Sequence, residues 1–152
     1  MEYRLDKKEE FKVVGISAST SVKKSREEIP LIWREFLSRC KEIKKCVGDM
    51  KNYGIAIETD KTLGKFKYVA CCEVNEFEDV PGGMIMEIVS ESKYVVFKHL
   101  GKLEGLGKTY EDVMNFVKNE KMKKKGYWFE FYDHRYLGDK PESEFEIWIA
   151  IE

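Results

Sequence analysis

Apolar and polar residues alternate along much of this chain, and a period of two predicts β-strands. Turn-forming residues separate these segments, at 61–64, at Pro81 to Gly83 and at 137–142. The segments predicted to be strands are 9–20, 53–60, 65–77, 84–92, 93–101, 126–136 and 143–151. The chain is therefore rich in strands that are short enough to pair within one sheet.

Two segments instead repeat their apolar residues every three or four positions, which predicts amphipathic helices. The first runs from Ile29 to Ile43, with Pro30 in its first turn, where the missing N–H costs little. A capping box of Ser25 and Glu28 is the alternative start, slightly upstream. The second helix carries Leu106, Tyr110, Val113, Met114 and Val117 on its apolar stripe.

The order of these elements repeats. Each half runs strand, helix, strand, strand, with a further extended segment before it. We therefore predict an α+β fold made of duplicated β-α-β-β units, with a mainly antiparallel sheet, two principal helices and a groove between them. Residues 1–152 are expected to form a single domain, with pseudo-repeats at about 1–79 and 80–152.

Composition excludes several classes of protein. Hydrophobic residues make up 43% of the 152, which is enough for a core, and 27 basic residues balance 28 acidic ones. That balance argues against a chain that mainly grips nucleic acid or a membrane. The lysine-rich run at 118–125 lacks interleaved aromatic residues and is predicted to be a solvated helix end. No apolar stretch has the length of a membrane span and the charged N-terminus lacks a signal-peptide pattern, so we expect a cytoplasmic protein.

The cysteines and histidines predict neither a metal site nor a cofactor. Cys40 and Cys46, and then Cys71 and Cys72, lack the C-x-x-C spacing of zinc and redox sites. The two histidines, at positions 99 and 134, are not brought together by any spacing. We expect the cysteines to be small buried hydrophobes in a reducing compartment.

Two strands combine a glutamate with aromatic residues on one face. In 143–151, Glu146 and Trp148 share a face that is opposite to Ile147. In 126–136, Glu130 shares a face with Trp128. Aromatic rings and a desolvated carboxylate together attract a delocalised cation, and a carboxylate with a raised pKa can act as an acid or base. From spacing alone, the favoured interpretation is an exposed or lysine-paired Glu146.

Six segments in order resemble the GyrI-like small-molecule-binding family, also called the AraC-type effector-binding domain. They are "FKVVGI", "IPLIWREF", "YGIAIE", "YVVFKHLGKLEGLGKTYEDV", "FEFYDHRY" and "SEFEIWIAI". The resemblance covers nearly the whole chain. It implies two β-α-β-β repeats with a groove between the helices that takes bulky, often cationic or aromatic compounds. Here the chain would act as a stand-alone member without a DNA-binding segment.

The resemblance also implies the site. Glu146 is expected on the groove floor, facing the helices, with Tyr110 as the polar contact or proton donor opposite it. Trp33 and Phe36 lie on the apolar stripe of the first helix, where core packing is at least as well supported as ligand stacking. The full predicted ligand-binding set is Glu146, Trp148, Trp33, Phe36, Tyr53, Tyr110 and Glu130. Glu146 and Tyr110 would be catalytic only in a hydrolase.

Three functions remain open at this point. The first is binding of a hydrophobic, cationic or aromatic compound that the protein senses or sequesters, with a groove glutamate as counter-charge. The second is hydrolysis of strained-ring, cyclopropane-bearing toxins. The third is a protein-interaction role, such as a gyrase inhibitor or the partner of a transcription regulator. Small hydrophobic ligands and a possible protein partner are expected, with no direct nucleic-acid or membrane contact.

Overall fold

The computed structural model describes residues 1–48 and 51–152. It contains eight strands and two α-helices, with one turn of 3₁₀-helix at Cys40–Glu42 and another at Leu103–Gly105. In chain order the elements are β1 Arg4–Lys8, β2 Phe11–Ser21, α1 Ser25–Arg39, β3 Asn52–Asp60, β4 Lys65–Val74, β5 Ile85–Val89, β6 Ser92–Leu100, α2 Leu106–Asn119, β7 Lys124–Tyr132 and β8 Glu144–Ile151. Neither helix has the length and apolar character that a membrane crossing requires.

All eight strands belong to one sheet in the order β1-β6-β8-β7-β3-β4-β2-β5, and the described pairings are antiparallel. The units β2-α1-β3-β4 and β6-α2-β7-β8 meet where β3 pairs with β7. The strand that precedes each unit pairs with the other unit: β1 pairs with β6 of the second unit, and β5 pairs with β2 of the first. The predicted α+β class with duplicated β-α-β-β units is confirmed.

Both helices lie on the same face of the sheet. Helix α1 packs on β2 and β4, and α2 packs on β6, so β3 and β7 lie beneath the gap between the helices. Under α1, Phe36 belongs to a cluster with Val14 of β2. Under α2, Val113 and Val117 belong to a cluster with Ile147 of β8. Two separate cores thus anchor the helices and leave a groove above the central strands.

The opposite face carries its own core, although no helix covers it; we call it the helix-free face. Tyr94 of β6 and Val89 of β5 pack in one cluster there with Phe129 of β7. Strands β5 and β6 lie near opposite ends of the sheet, so the sheet must curve strongly to bring them together. This curvature buries aromatic side chains that a flat sheet would expose.

Helix α1 begins at Ser25, at the upstream alternative and not at Ile29, and its first turn contains only polar residues, so no apolar spacing marks it. The predicted capping box is absent, because Glu28 accepts a hydrogen bond from Thr20 Oγ1 at 2.8 Å instead. Pro30 is the sixth residue of the helix, not part of its first turn.

The cysteine prediction is wrong for one pair. Cys46 and Cys72 form a disulfide that ties the segment after α1 to β4, with their Cα atoms 5.9 Å apart. Their separation of 26 residues carries no local signal, because the fold alone brings them together. Cys71 is a buried free thiol and Cys40 is a partly exposed one.

Thiol titration of the unfolded protein is expected to count two thiols, from Cys40 and Cys71, until a reductant is added. A disulfide that closes a loop of this length stabilises a fold by about 3 kcal/mol, so reduction should lower the midpoint of urea unfolding. Cys40→Ser serves as the control, since it should leave the disulfide intact. Four thiols before reduction would contradict the pairing.

Candidate ligand-binding site

The carboxylate of Glu130 lies at the centre of the sheet, on the helix side of β7, and is only 7% exposed. It accepts hydrogen bonds from three tyrosine hydroxyls: Tyr110 at 2.7 Å, Tyr68 at 2.9 Å and Tyr132 at 3.1 Å. We call Tyr68, Tyr110 and Tyr132 the tyrosine cage. The cage draws on one helix and two strands, so it forms only in the folded chain.

Each member of the cage reaches Glu130 for a local reason. Tyr132 is two residues further along β7 and therefore shares its face. Tyr110 belongs to the stripe of α2 that faces the sheet. Tyr68 must reach across β3, and there the intervening residue is Gly54. A Cβ at that position would overlap the Tyr68 hydroxyl and lie 3.1 Å from Glu130 Oε1.

Trp33 of α1 completes the aromatic wall of the groove. Its Nε1 donates to the Tyr68 hydroxyl at 2.8 Å, and its ring packs edge-on against Tyr132, with centroids 5.3 Å apart. Tyr136 extends the wall, with its ring 4.9 Å from that of Tyr132. Trp33, Tyr132 and Tyr136 are all partly exposed. Aromatic side chains thus line the approach to a buried carboxylate.

The charge of Glu130 has no partner in the part of the chain that the structure describes, where no basic group forms a salt bridge with it. Burial raises the pKa of Glu130, and the hydrogen bonds from Tyr110, Tyr68 and Tyr132 offset this only in part. His99 lies near enough for its charge to act on Glu130, but its ring nitrogens contact Thr109 Oγ1 and the Lys102 carbonyl.

The tyrosines of the cage remain donors at ordinary pH. Burial, and next the negative charge of Glu130, raise the pKa of all three phenols well above the usual value. Among the described residues, the ionised form of Glu130 therefore has hydrogen-bond donors around it but forms no salt bridge. Such a site is suited to a ligand that brings a positive charge and aromatic or apolar surface.

Glu146 and Trp148 lie on the helix-free face, contrary to the expectation that they face the helices. Ile147 and Ile149 occupy the helix side of β8 instead, where they pack with Val113 of α2. Strand alternation separates these two sets of residues correctly, but alternation alone cannot say which set faces the helices. Neither Glu146 nor Trp148 is in bulk solvent, since their exposures are 5% and 9%.

An ion network holds Glu146 in place. Its carboxylate accepts from Arg4 at 2.8 Å, from Trp148 Nε1 at 3.0 Å and from Arg135 at 3.5 Å. Burial would raise its pKa, but the hydrogen bonds from Arg4 and Trp148 and the two arginine charges outweigh this and lower the pKa. The expectation that Tyr110 faces Glu146 is wrong, because Tyr110 donates to Glu130.

Glu146→Gln is expected to lower the free energy of unfolding by about 1–2 kcal/mol at pH 7, since it removes the charge that Arg4 and Arg135 share. A lowered folded-state pKa stabilises the fold above the unfolded-state pKa, and this contribution is lost as pH falls through the folded-state pKa. The deficit should therefore shrink in acid. Urea unfolding at several pH values measures it, with Glu144→Gln on the same strand as control. Equal deficits at acid and neutral pH would contradict the network.

The structure divides the predicted site residues between the two faces. Trp33, Tyr110 and Glu130 meet in the groove, and Phe36 is fully buried beneath Trp33, with their ring centroids 5.8 Å apart. Tyr53 lies on the helix-free face, with Glu146 and Trp148. The pattern missed Tyr68 and Tyr132. Tyr132 could have been found because it lies two residues after Glu130 and so shares its face. Tyr68 could be found only from the strand order, in which β3 lies between β4 and β7.

Comparison with known proteins agrees with this architecture. Residues 4–151 match the family model Cass2, described as integron-associated effector binding protein. The transcriptional regulator BrlR of Pseudomonas aeruginosa is 31% identical over 154 residues, which span 99% of this chain and 56% of BrlR. The chain therefore spans about half the length of this curated relative.

Solved structures show the same fold at lower identity. SAV2435, in a structure bound to tetraphenylphosphonium, is 22% identical with a TM-score of 0.83, over 100% of this chain and 94% of the other. An integron cassette protein of Vibrio cholerae is 21% identical with a TM-score of 0.70, over 99% of this chain and 95% of the other. The chain belongs to the integron-associated effector-binding family, whose members bind small molecules on a GyrI-like fold.

Proposed function

We propose that this protein binds a hydrophobic cation in the groove between α1 and α2, and that Glu130 supplies the counter-charge. One observation carries the proposal: a carboxylate that is 7% exposed is surrounded by tyrosine hydroxyls and has no salt bridge within the described residues. Burying an unpaired charge is costly, and a cationic ligand would recover that cost. The protein would sense or sequester its ligand in this way.

The aromatic wall favours a delocalised cation over a small inorganic one. The partly exposed rings of Trp33, Tyr132 and Tyr136 can contact apolar ligand surface and attract positive charge through their quadrupoles. A lysine-like ammonium would lose more hydration on entering such a site. Tetraphenylphosphonium, the compound in the SAV2435 structure, has this chemistry and serves as a probe.

Titration with tetraphenylphosphonium is expected to quench tryptophan fluorescence with a dissociation constant in the micromolar range, about −8 kcal/mol. Trp33 should report most of the signal, because it is partly exposed in the groove, its indole N–H donates to the Tyr68 hydroxyl and its ring packs on Tyr132. Trp33→Phe should remove most of the quenching while calorimetry still detects binding. Absence of binding across a panel of bulky organic cations would contradict the proposal.

Affinity for the cation is expected to fall as the pH is lowered through the raised pKa of Glu130, because a proton then competes with the ligand for the carboxylate. Below that pKa, each further pH unit should weaken binding by about tenfold. Calorimetric titrations from pH 8 down to the lowest pH at which the protein stays folded, at constant ionic strength, measure the effect. Glu130→Gln should show no such slope, and an unchanged affinity in the wild-type protein would exclude Glu130 as the counter-charge.

Hydrolysis of a strained-ring compound is a second candidate, and the same site favours it. A carboxyl group with a raised pKa, 2.7 Å from the Tyr110 hydroxyl, has the features of an acid–base pair. The pair would be Glu130 with Tyr110 and not Glu146 with Tyr110. Turnover of a cyclopropane-bearing substrate that Glu130→Gln abolishes, and Glu146→Gln does not, would establish it. Binding without turnover would exclude hydrolysis and support ligand binding.

A further inference from the structure

We propose a second ligand site, on the helix-free face, that takes a flat aromatic carboxylate. A cavity of about 340 Å³ opens there, within the size range of small-molecule sites. Its lining combines the aromatic residues Tyr53, Phe129, Phe131 and Trp148 with lysines and acids from β1, β4 and the segment before β3. The sheet separates this cavity from Glu130 and the groove, so the proposal does not depend on the function proposed above.

Ordered aromatic rings form the apolar part of the cavity. Trp148 stacks on Phe129 with centroids 5.3 Å apart and planes 16° apart. Tyr53 packs against Phe131, with centroids 5.1 Å apart. Tyr53, Phe129 and Trp148 are each at least nine-tenths buried, so their positions are held by the core beneath them. The wall is therefore preformed; Trp148 is stacked on Phe129 and Arg4 lies 5.3 Å from its ring centroid, so a flat ring would contact the ring edges that line the cavity.

The acidic residues of the lining already have partners within the protein. Asp6 accepts from Arg4 Nε at 3.2 Å and from the backbone N–H of Lys7 at 2.8 Å. Glu73 accepts from the Tyr53 hydroxyl at 3.4 Å, with Lys8 Nζ 3.8 Å away. Each acid of the lining therefore already has a basic neighbour, Arg4 for Asp6 and Lys8 for Glu73, and does not need a cationic ligand.

The lining holds three lysines against two acids, and Lys7 is already paired with Glu91 at 2.7 Å. Lys8 Nζ lies 3.8 Å from Glu73, which shares its charge but takes no hydrogen bond from it, so an incoming anion can still accept from its N–H groups. The same ammonium lies 4.5 Å above the Phe11 ring, which holds it beside the aromatic wall. Lys51 also lines the cavity and forms no salt bridge among the described residues, so its charge is the one left for a ligand. Aromatic surface beside ammonium groups suits a planar anion.

The two faces of the sheet would then select opposite charges. Among the described residues, the groove presents a carboxylate without a salt bridge, and the helix-free cavity presents Lys51 beside acids that are already paired with Arg4 and Lys8. The tryptophans distinguish the two sites, because Trp33 and Trp128 lie on the helix side and Trp148 on the helix-free face. Each site therefore has its own indole N–H as a reporter.

The test is a titration with naphthalene-2-carboxylate, followed by calorimetry and by the three indole N–H signals in ¹H–¹⁵N spectra, assigned with tryptophan-to-phenylalanine variants. Naphthoate is expected to shift the Trp148 signal and to bind equally well when tetraphenylphosphonium saturates the groove. The neutral analogue naphthalene-2-methanol should bind at least tenfold more weakly. Lys8→Gln and Lys51→Gln should each lower naphthoate affinity at least threefold, whereas Lys108→Gln on α2 should not.

Several results would overturn the second site. These are no naphthoate binding, equal affinity for the neutral alcohol, displacement by tetraphenylphosphonium, or a shift of the Trp33 signal in place of Trp148. Unchanged affinity in both lysine variants would also overturn it. If phosphonium binds and naphthoate does not, only the second site is wrong. If naphthoate binds and phosphonium does not, only the groove proposal is wrong.

Discussion

Glu130→Gln is expected to lower the affinity for tetraphenylphosphonium by about 10- to 100-fold, the largest effect of any single substitution in the groove. Glutamine keeps the size of the side chain and, at the position of Oε1, an oxygen that can accept from Tyr68 and Tyr132, while its amide nitrogen takes the place of Oε2 opposite Tyr110. The substitution therefore removes the charge and little of the shape. Calorimetric titration at pH 8, where the carboxylate should be most fully ionised, gives the clearest comparison.

The same variant should become more stable without ligand, which separates loss of charge from loss of fold. A raised pKa means that the folded state disfavours the ionised carboxylate of Glu130 relative to the unfolded chain. Stability is therefore lost as pH rises above the unfolded-state pKa, and Glu130→Gln should exceed the wild type in urea unfolding at pH 7. Glu146→Gln is the matched control, with the opposite result: lower stability and unchanged phosphonium affinity.

Gly54→Ala is expected to lower the free energy of unfolding by about 1–3 kcal/mol and to weaken cation binding. Gly54 does not have a positive φ, so the cost arises from space alone. Its new methyl group would overlap the Tyr68 hydroxyl, which donates to Glu130 and accepts from Trp33. Displacing Tyr68 breaks both hydrogen bonds at once.

Urea unfolding and phosphonium titration of Gly54→Ala are best compared with Gly82→Ala. A Cβ at Gly82 meets nothing within 4 Å, so that variant should match the wild type within about 0.5 kcal/mol. Tyr68→Phe removes the hydroxyl without adding bulk, and combining it with Gly54→Ala should restore part of the lost stability. Wild-type stability and affinity in Gly54→Ala would show that the Tyr68 contact does not shape the site.

The sequence predicted the architecture well because its signals are local. Alternation located the closing strand at 143–151, against an observed Glu144–Ile151, and the stripe from Leu106 to Val117 located α2. Apolar spacing missed the start of α1 because its first turn is polar, and the upstream start at Ser25 was indicated only by a capping box that the structure lacks, since Glu28 accepts from Thr20. The disulfide between Cys46 and Cys72 was missed because it depends on tertiary proximity alone.

The site was predicted in part, for a similar reason. Alternation correctly put Glu146 with Trp148 and, separately, Glu130 with Trp128, but only the packing of α2 on Ile147 decides which side of β8 the helices cover. The choice between the two glutamates follows from their neighbours. Arginines neutralise Glu146, whereas tyrosines that arrive from separate elements surround Glu130 without neutralising it.

The central claim is that the groove selects its ligand by charge through Glu130. Tetraphenylphosphonium and tetraphenylborate have nearly the same shape and opposite charges, so separate titrations of the two ions isolate electrostatics from apolar contact. The phosphonium should bind with micromolar affinity and shift the Trp33 indole signal, and the borate should leave that signal unchanged. Equal affinities for the two ions, both reported by Trp33, would show that apolar contact alone governs the groove.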